Sequence, residues 1–236
     1  MTPMARWQGA IVLVLSIAGA ASAHATGQYE RAGIRTSAMP LERQAQVLVK
    51  ELVQAVERRD RVAIHGMLAP GFEVAGPGAP RNQARLTARQ RFDAVWPGWE
   101  ALRETLAPAS WGPRPDKPTQ LCAPAPLTAN DLERIARAAR ERGDRARSAP
   151  RDWAYTDKTR VSVHAKASPQ SEVLARLTRE AVRVVGQTKG WLQVALPNSE
   201  VGFVRSEHAL RPNSRRLCLA KVKGLWRIGA YLVAAD

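Results

Sequence analysis

The chain has 236 residues, of which 45% are hydrophobic and 24% charged; this excludes wholesale disorder and allows one or two globular domains. Lys and Arg number 36 against 21 acidic residues, a formal net charge of +15, which favours anionic partners. The alternative is an Arg-rich surface with no specific partner, because the charges are spread along the chain. No basic run with interleaved aromatic residues is present, so the sequence predicts no nucleic-acid partner.

The first 23 residues have the organisation of a secretory signal peptide. Arg6 precedes an apolar run at 10–18, and an Ala-Ser-Ala sequence ends at Ala23, as at a signal cleavage site. The run is much shorter than the ~20 residues of a membrane-spanning helix, and no later stretch is more apolar. We therefore expect cleavage after Ala23 or Ala25, export to the periplasm or the extracellular space, no transmembrane span after cleavage, and a flexible leader over 24–38.

Export determines how the two cysteines are interpreted. In an oxidising compartment Cys122 and Cys218 are predicted to form a disulfide. Two free buried thiols are the alternative. No His lies at ligand spacing from either Cys, so no metal site is predicted.

Residues 39–145 are predicted to form a mostly helical domain. An apolar residue recurs every three or four positions through Leu41, Ala45, Leu48, Leu52 and Val56, which is one face of a helix. Further helices are expected after the candidate capping residues Asp60, Thr87 and Thr128. Six prolines in 108–126 predict an extended loop.

After Trp153 the hydrophobic period changes to two. Short alternating runs separated by turn residues predict a small β-barrel over 153–212. Two further runs flank Lys223-Gly224 and predict a β-hairpin over 213–236. An isolated hairpin is marginally stable, so we expect it to pack on the helical domain, with the disulfide holding it there. The predicted fold class is α+β, multidomain: a mostly helical N-terminal domain, a small SH3-like β-barrel and a C-terminal β-hairpin.

Four segments in the C-terminal half, at 161–177, 182–185, 190–194 and 200–206, resemble the bacterial SH3 (SH3b) domain family. They match its alternating opening strand, its Ser/Pro-rich loop, its Gly-Trp-x-x-Val strand and its Gly-aromatic-Val strand. The usual Arg of the opening strand is His164 here, and the following loop has Lys166 and Ala167 where the family has Gly and Pro. The resemblance implies a small barrel that recognises cell-wall peptide or another extracytoplasmic ligand.

The whole chain is also similar to a wider set of exported, SH3-domain-containing bacterial proteins of unknown function. Three segments carry this similarity: Ala55-Val-Glu-Arg-Arg-Asp60, Trp99-Glu-Ala-Leu102 and Gly224-Leu-Trp-Arg-Ile228. This second resemblance implies no reaction.

No catalytic motif was found. Cys122 lies in a Leu-Cys-Ala-Pro loop rather than beside a His, and His65 is followed by Gly-Met-Leu rather than by the pattern of a zinc peptidase. Candidate carboxylates are present, but we interpret them as parts of solvated amphipathic faces: Glu51, Glu57, Glu73 and Glu104. We therefore predict no enzyme activity, no catalytic residue, no metal and no cofactor.

The predicted function is binding or scaffolding in the cell envelope. Trp153 and Tyr155 precede the first strand of the barrel and, with His164 and Lys166, are the candidate ligand-binding residues; Trp191 and Phe203 are expected to fill the barrel core. The expected partner is cell-wall peptide or an envelope protein. Two alternatives stay open: a wall hydrolase with an unrecognised active site, and a basic module that binds anionic envelope polymer or lipid.

Overall fold

The computed structural model describes residues 28–35, 38–107, 110–142 and 152–233, so the predicted signal peptide lies outside the described residues. The helices are α1 (Arg43–Glu57), α2 (Arg61–Met67), α3 (Ala88–Ala94), α4 (Trp99–Leu106) and α5 (Ala129–Glu141). The strands are β1 (Ala32–Gly33), β2 (Leu68–Ala75), β3 (Gly112–Arg114), β4 (Lys117–Ala123), β5 (Trp153–Tyr155), β6 (Val161–His164), β7 (Val173–Leu177), β8 (Glu180–Thr188), β9 (Trp191–Ala195), β10 (Val201–Arg205), β11 (Arg216–Val222) and β12 (Leu225–Leu232). Short 3₁₀ turns lie at Gln83–Arg85 and Ser206–His208.

Two sheets organise the described residues, and the predicted fold class is wrong. Strand accounts for 35% and helix for 30%, in one sheet of seven strands and one of five. The five-stranded sheet has the order β2-β12-β11-β4-β3, and the seven-stranded sheet has the order β1-β8-β9-β10-β6-β7 with β5 also paired to β8. The N-terminal half is therefore not a helical domain, and the C-terminal strands are not a separate small barrel.

Two strands of the N-terminal half, β2 and β4, were not predicted because their sequences contain proline. β2 contains Pro70-Gly71, which resembles a helix stop, yet Phe72 and Val74 after it alternate into the core. The register of β2 against β12 shifts around this dipeptide, and an edge strand tolerates Pro at such an irregularity. β4 lies inside the Pro-rich segment 108–126 that was predicted to be a loop; its Pro118 falls at the exposed start of the strand.

Three helices begin at the capping residues that the sequence predicted. Asp60 accepts a hydrogen bond from the backbone N–H of Ala63 at the start of α2. Thr87 forms a capping box with Gln90, and Thr128 forms one with Asp131. α1 buries the predicted face, including Leu48, Leu52 and Val56. Of these helices, α1 to α4 pack on the five-stranded sheet and share a core with it.

The segment 24–38, expected to be a flexible leader, contributes a strand in its described part. β1 pairs antiparallel with β8, and Tyr29, Ala32 and Ile34 around it are buried. They pack with α5, β5 and β8 in a second core. α5 therefore belongs with the seven-stranded sheet and not with the preceding helices. A third core lies among the strands of that sheet.

The predicted C-terminal hairpin is present: it completes the five-stranded sheet, and its buried residues share the first core with the N-terminal helices. Lys223 and Gly224 form its turn, with φ angles of 49° and 82°, and positive φ at both positions is typical of a type I′ hairpin turn. β11 pairs antiparallel with β4, and β12 pairs parallel with β2. Cys218 lies directly opposite Cys122, and the predicted disulfide joins them, with Cα atoms 3.9 Å apart.

The chain forms two interleaved units, named here by sheet. The first unit comprises 38–107, 110–123 and 216–233 and contains the five-stranded sheet with α1 to α4. The second unit comprises 28–35, 125–142 and 152–211 and contains the seven-stranded sheet with α5. Among the helices described in both units, none combines the length and hydrophobicity needed to cross a bilayer.

Candidate functional site

A groove of about 350 Å³ lies on the second unit, over β6, β9 and β10. Strand alternation sends Val163, Leu192 and Val204 into the core, and their strand neighbours Ser162, His164, Trp191 and Arg205 line the groove. The lining residues come from these strands, from the β5–β6 and β6–β7 loops and from the turn after β10: Lys158, Thr159, Arg160, Val161, Ser162, His164, Pro169, Trp191, Arg205 and His208.

Trp191 forms the aromatic floor of the groove. It is 6% exposed and is opposite Arg205 in the β9–β10 register. The Arg205 guanidinium carbon lies 5.1 Å from the centroid of the indole ring, within cation–π range. The His164 ring meets the indole edge-to-face, with centroids 5.5 Å apart and planes at 84°. This packing leaves Arg205, which is exposed, with its charged group above an apolar surface.

Two further cations lie on the β5–β6 loop, whose backbone is tied to the sheet. The Lys158 carbonyl accepts a hydrogen bond from the Arg179 N–H at 3.0 Å. The Arg160 N–H donates to Thr178 Oγ1 at 3.2 Å, and Arg160 adopts a φ of 59°, a conformation uncommon for a non-glycine residue. The loop is thus held in a fixed shape that presents Lys158 and Arg160 at the groove.

The two histidines of the groove have defined hydrogen-bond partners. His164 Nδ1 donates to the Ser171 carbonyl at 3.1 Å, so Nε2 is the ring nitrogen left to accept in the neutral form. His208 Nδ1 accepts from the Lys158 ammonium at 3.3 Å. His208 Nε2 lies 3.7 Å from a carboxylate oxygen of Glu207.

The charged residues that line the groove are basic. Lys158, Arg160 and Arg205 line it, and none of its lining residues is acidic. Glu207 lies beside His208 at the margin, with its side chain 62% exposed to solvent. Such a surface suits a ligand that combines an anionic group with an apolar portion. In the described part of the chain, no group of three or more His, Cys, Asp or Glu residues is placed to hold a metal ion.

Only one of the four predicted ligand-binding residues lies in this groove. His164 lines it, whereas Lys166 is exposed on the β6–β7 loop and is not among the lining residues. Trp153 and Tyr155 are 0% and 1% exposed and do not line this groove, so their ligand role stays a prediction without support from its geometry. Trp153 packs edge-to-face on Tyr29 at 5.0 Å, because α5 and the β1 segment cover this face of β5.

Sequence reasoning missed the cations of the groove and assigned Trp191 to the barrel core. One signal was available: pairing the Gly190-Trp191 strand with the Gly202-Phe-Val-Arg205 strand places Trp191 opposite Arg205. The contribution of Lys158 and Arg160 depends on the fold of the β5–β6 loop and has no local signature. Comparisons with protein-family models, with curated proteins and with solved structures found no match to this chain.

Proposed function

We propose that this protein is an exported binding protein of the cell envelope whose groove takes an anionic group of cell-wall peptide. The observation that carries the proposal is the placement of Arg205 over Trp191, with Lys158 and Arg160 beside them and no acidic residue in the lining. Wall peptides carry free carboxylates next to short aliphatic side chains. A guanidinium can bind such a carboxylate by charge-assisted hydrogen bonds, while the indole contacts the aliphatic part.

Two features of the sequence support the envelope as the location. The SH3b resemblance of the strands that form the groove implies recognition of wall peptide, and the N-terminal 23 residues resemble a signal peptide. The disulfide is consistent with export, because disulfides persist in oxidising compartments. An anionic envelope polymer or lipid has the same charge, so the test must separate local recognition from general attraction to the +15 chain.

The test is co-sedimentation of the purified protein with peptidoglycan, with Arg205→Gln compared against Arg137→Gln. Both variants remove one positive charge, but Arg137 is exposed on α5, outside the groove. We expect Arg205→Gln to weaken binding about tenfold, since a hydrogen bond to a charged group contributes about 1.5–3 kcal/mol. Arg137→Gln is expected to bind like the wild type.

Other outcomes identify other functions. Equal losses in the two variants, with binding that disappears as salt rises, would indicate non-specific attraction to polyanions. If neither variant weakens binding, the groove is not the site that binds peptidoglycan. Clearing of wall substrate in a zymogram would reveal a hydrolase.

A further inference from the structure

His208, which lines the groove of the second unit, has neighbours of opposite charge at its two ring nitrogens. Its Nδ1 lies 3.3 Å from the Lys158 ammonium nitrogen, and its Nε2 lies 3.7 Å from a carboxylate oxygen of Glu207. The two nitrogens belong to different edges of the imidazole ring, so the cation and the anion contact different edges. The contact that is favourable therefore depends on whether the ring is protonated.

The contact with Lys158 requires a His208 Nδ1 that carries no proton. An ammonium group has only donors, so the imidazole nitrogen must supply the lone pair. In this state the Lys158 ammonium is held by a partner within the chain, although Lys158 also lines the groove. Neutral His208 thus occupies one of the three cationic side chains of the lining, and Arg160 and Arg205 are the other two.

Protonation of His208 makes the contact with Lys158 repulsive. An imidazolium donates from both nitrogens and accepts at neither, so it repels the ammonium and attracts the Glu207 carboxylate at its other edge. Lys158 is exposed, and its flexible four-carbon stem lets the ammonium turn away from the ring. Histidine is the residue type that changes its charge between pH 5 and 8, which sets the pH range for the test.

The other charged and titratable groups of the lining do not make this exchange. Arg160 and Arg205 are charged at every pH of interest. His164 donates through Nδ1 to the Ser171 carbonyl, and both the neutral and the protonated ring can make that bond. Protonation of His164 therefore adds charge to the groove without releasing a neighbouring side chain.

We propose that His208 is a positioning residue for Lys158, and that its protonation releases Lys158 to bind the anionic group of the ligand. This inference rests on the proposed function, because it concerns the regulation of the same groove. The groove then binds an anion more tightly in mildly acidic solution, even when the charge of the anion itself does not change. Removing the His208 ring frees Lys158 at every pH.

The experiment titrates 1-hexanesulfonate into the full chain and follows the Trp191 indole N–H signal by NMR at about pH 5.5 and about pH 8, near the ends of the range in which histidine changes charge. The probe has an anionic group and an aliphatic portion, and it is fully ionised at both pH values. The wild type is expected to bind about threefold to fivefold more tightly at the lower pH, as one exposed ion pair allows. His208→Ala should bind more tightly than the wild type at the higher pH, whereas loss of a direct ligand contact would weaken binding.

Lys158→Met is expected to bind at both pH values about as weakly as the wild type does at the higher pH. Adding His208→Ala to Lys158→Met should change nothing further, because His208 acts through Lys158. Lys189→Met is the matched control, since Lys189 is an exposed lysine of the β8–β9 turn outside the groove lining. It should keep the wild-type response to pH.

The proposal is overturned if the wild type does not bind the probe, binds it equally at both pH values, or is weakened by His208→Ala at the higher pH. An effect of His208→Ala in the Lys158→Met background would also contradict it. Peptidoglycan co-sedimentation tests the proposed function separately. A pH response to 1-hexanesulfonate without binding of peptidoglycan would support this inference and remove cell-wall peptide as the ligand.

Discussion

At the scale of single residues, Asp131 connects the N-terminal segment to α5. One carboxylate oxygen accepts from the Arg35 N–H at 2.8 Å and from Arg134 Nη2 at 2.5 Å. The other accepts from the N–H and the hydroxyl of Thr128, completing the capping box. The Asp131 side chain is fully buried. Its charge is therefore satisfied by groups from two distant parts of the chain.

We predict that Asp131→Asn destabilises the protein by about 1.5–3 kcal/mol at pH 7, the range for hydrogen bonds to a charged group. Burial alone would raise the pKa of Asp131, but its hydrogen bonds hold the pKa below the usual range. Such a carboxylate stabilises the fold above the unfolded pKa of about 4 and loses this contribution as pH falls through its lower folded pKa. The stabilities of the variant and the wild type in urea should therefore begin to converge as the pH falls below about 4, and the difference should vanish only below the lower folded pKa.

Asp60→Asn is the control for this prediction. Asp60 also caps a helix, but Asn is as good a capping residue as Asp, so a change of only a few tenths of a kcal/mol is expected. If Asp131→Asn and Asp60→Asn cost the same at every pH, the charge of Asp131 has no role in stability.

Residue roles were predictable where they depend on neighbours in sequence. The caps at Thr87 and Thr128 involve partners three residues away, so their pattern is visible in the sequence. Trp153 illustrates the opposite case: its burial depends on Tyr29 and α5, which are distant in sequence. The local sequence around a Trp that precedes a strand is the same whether the side chain faces solvent or packs against a helix from elsewhere in the chain.

At the scale of elements, the helices were easier to predict than the strands of the first unit. α1, for example, has an apolar face that is visible in its own sequence, without reference to any partner. β4 is a strand because β11, nearly a hundred residues later, supplies its hydrogen-bond partner. A strand whose partners are remote and whose sequence holds prolines carries little local signal. The predicted pairing of the cysteines was the one observation that connected these two segments.

The disulfide crosses the β4–β11 pair, and its removal is predicted to weaken the first unit. The two cysteines are 96 residues apart, and the chain-entropy model gives at most about 4–5 kcal/mol for a loop of this order. Cys122→Ala/Cys218→Ala should lower the urea midpoint, and the wild type unfolded in reductant should show the same lower midpoint.

Thiol counting checks the premise of this prediction. The denatured, unreduced wild type should show no reactive thiol, and reduction should expose two. In the folded state both cysteines are fully buried, so labelling should be slow even with reductant present. Two reactive thiols in the denatured, unreduced chain would contradict the disulfide.

At the scale of the whole molecule, the chain alternates between two units. Its first described segment, 28–35, belongs to the second unit; the chain then builds most of the first, returns to complete the second, and closes the first with β11 and β12. Local periodicity reveals the strands of 153–212 but not that β1 and α5 are added to them. The segmentation predicted from sequence therefore placed α5 in the wrong unit, and the groove residue Trp191 in a closed barrel.

This interleaving implies that 153–212 is not an independent domain. In the full chain its Trp153, Tyr155 and Ala181 are covered by residues from outside that range: Tyr29, Ile34, Leu127, Ile135, Ala138 and Ala139. Without this cover, large apolar side chains that are now buried would face water, which is unfavourable by about 25 cal/mol per Å² of exposed apolar surface. We therefore expect a fragment of 153–212 to be less stable than one of 125–212, which retains α5.

Tryptophan emission measures this difference directly. The range 153–212 contains two tryptophans, Trp153 and Trp191, so a Trp191→Phe background leaves Trp153 as the only reporter. We expect red-shifted emission and a low urea midpoint for 153–212, and a blue shift with a higher midpoint for 125–212. Identical emission and midpoints in the two fragments would mean that the strands of 153–212 fold without α5. The groove could then be studied in isolation.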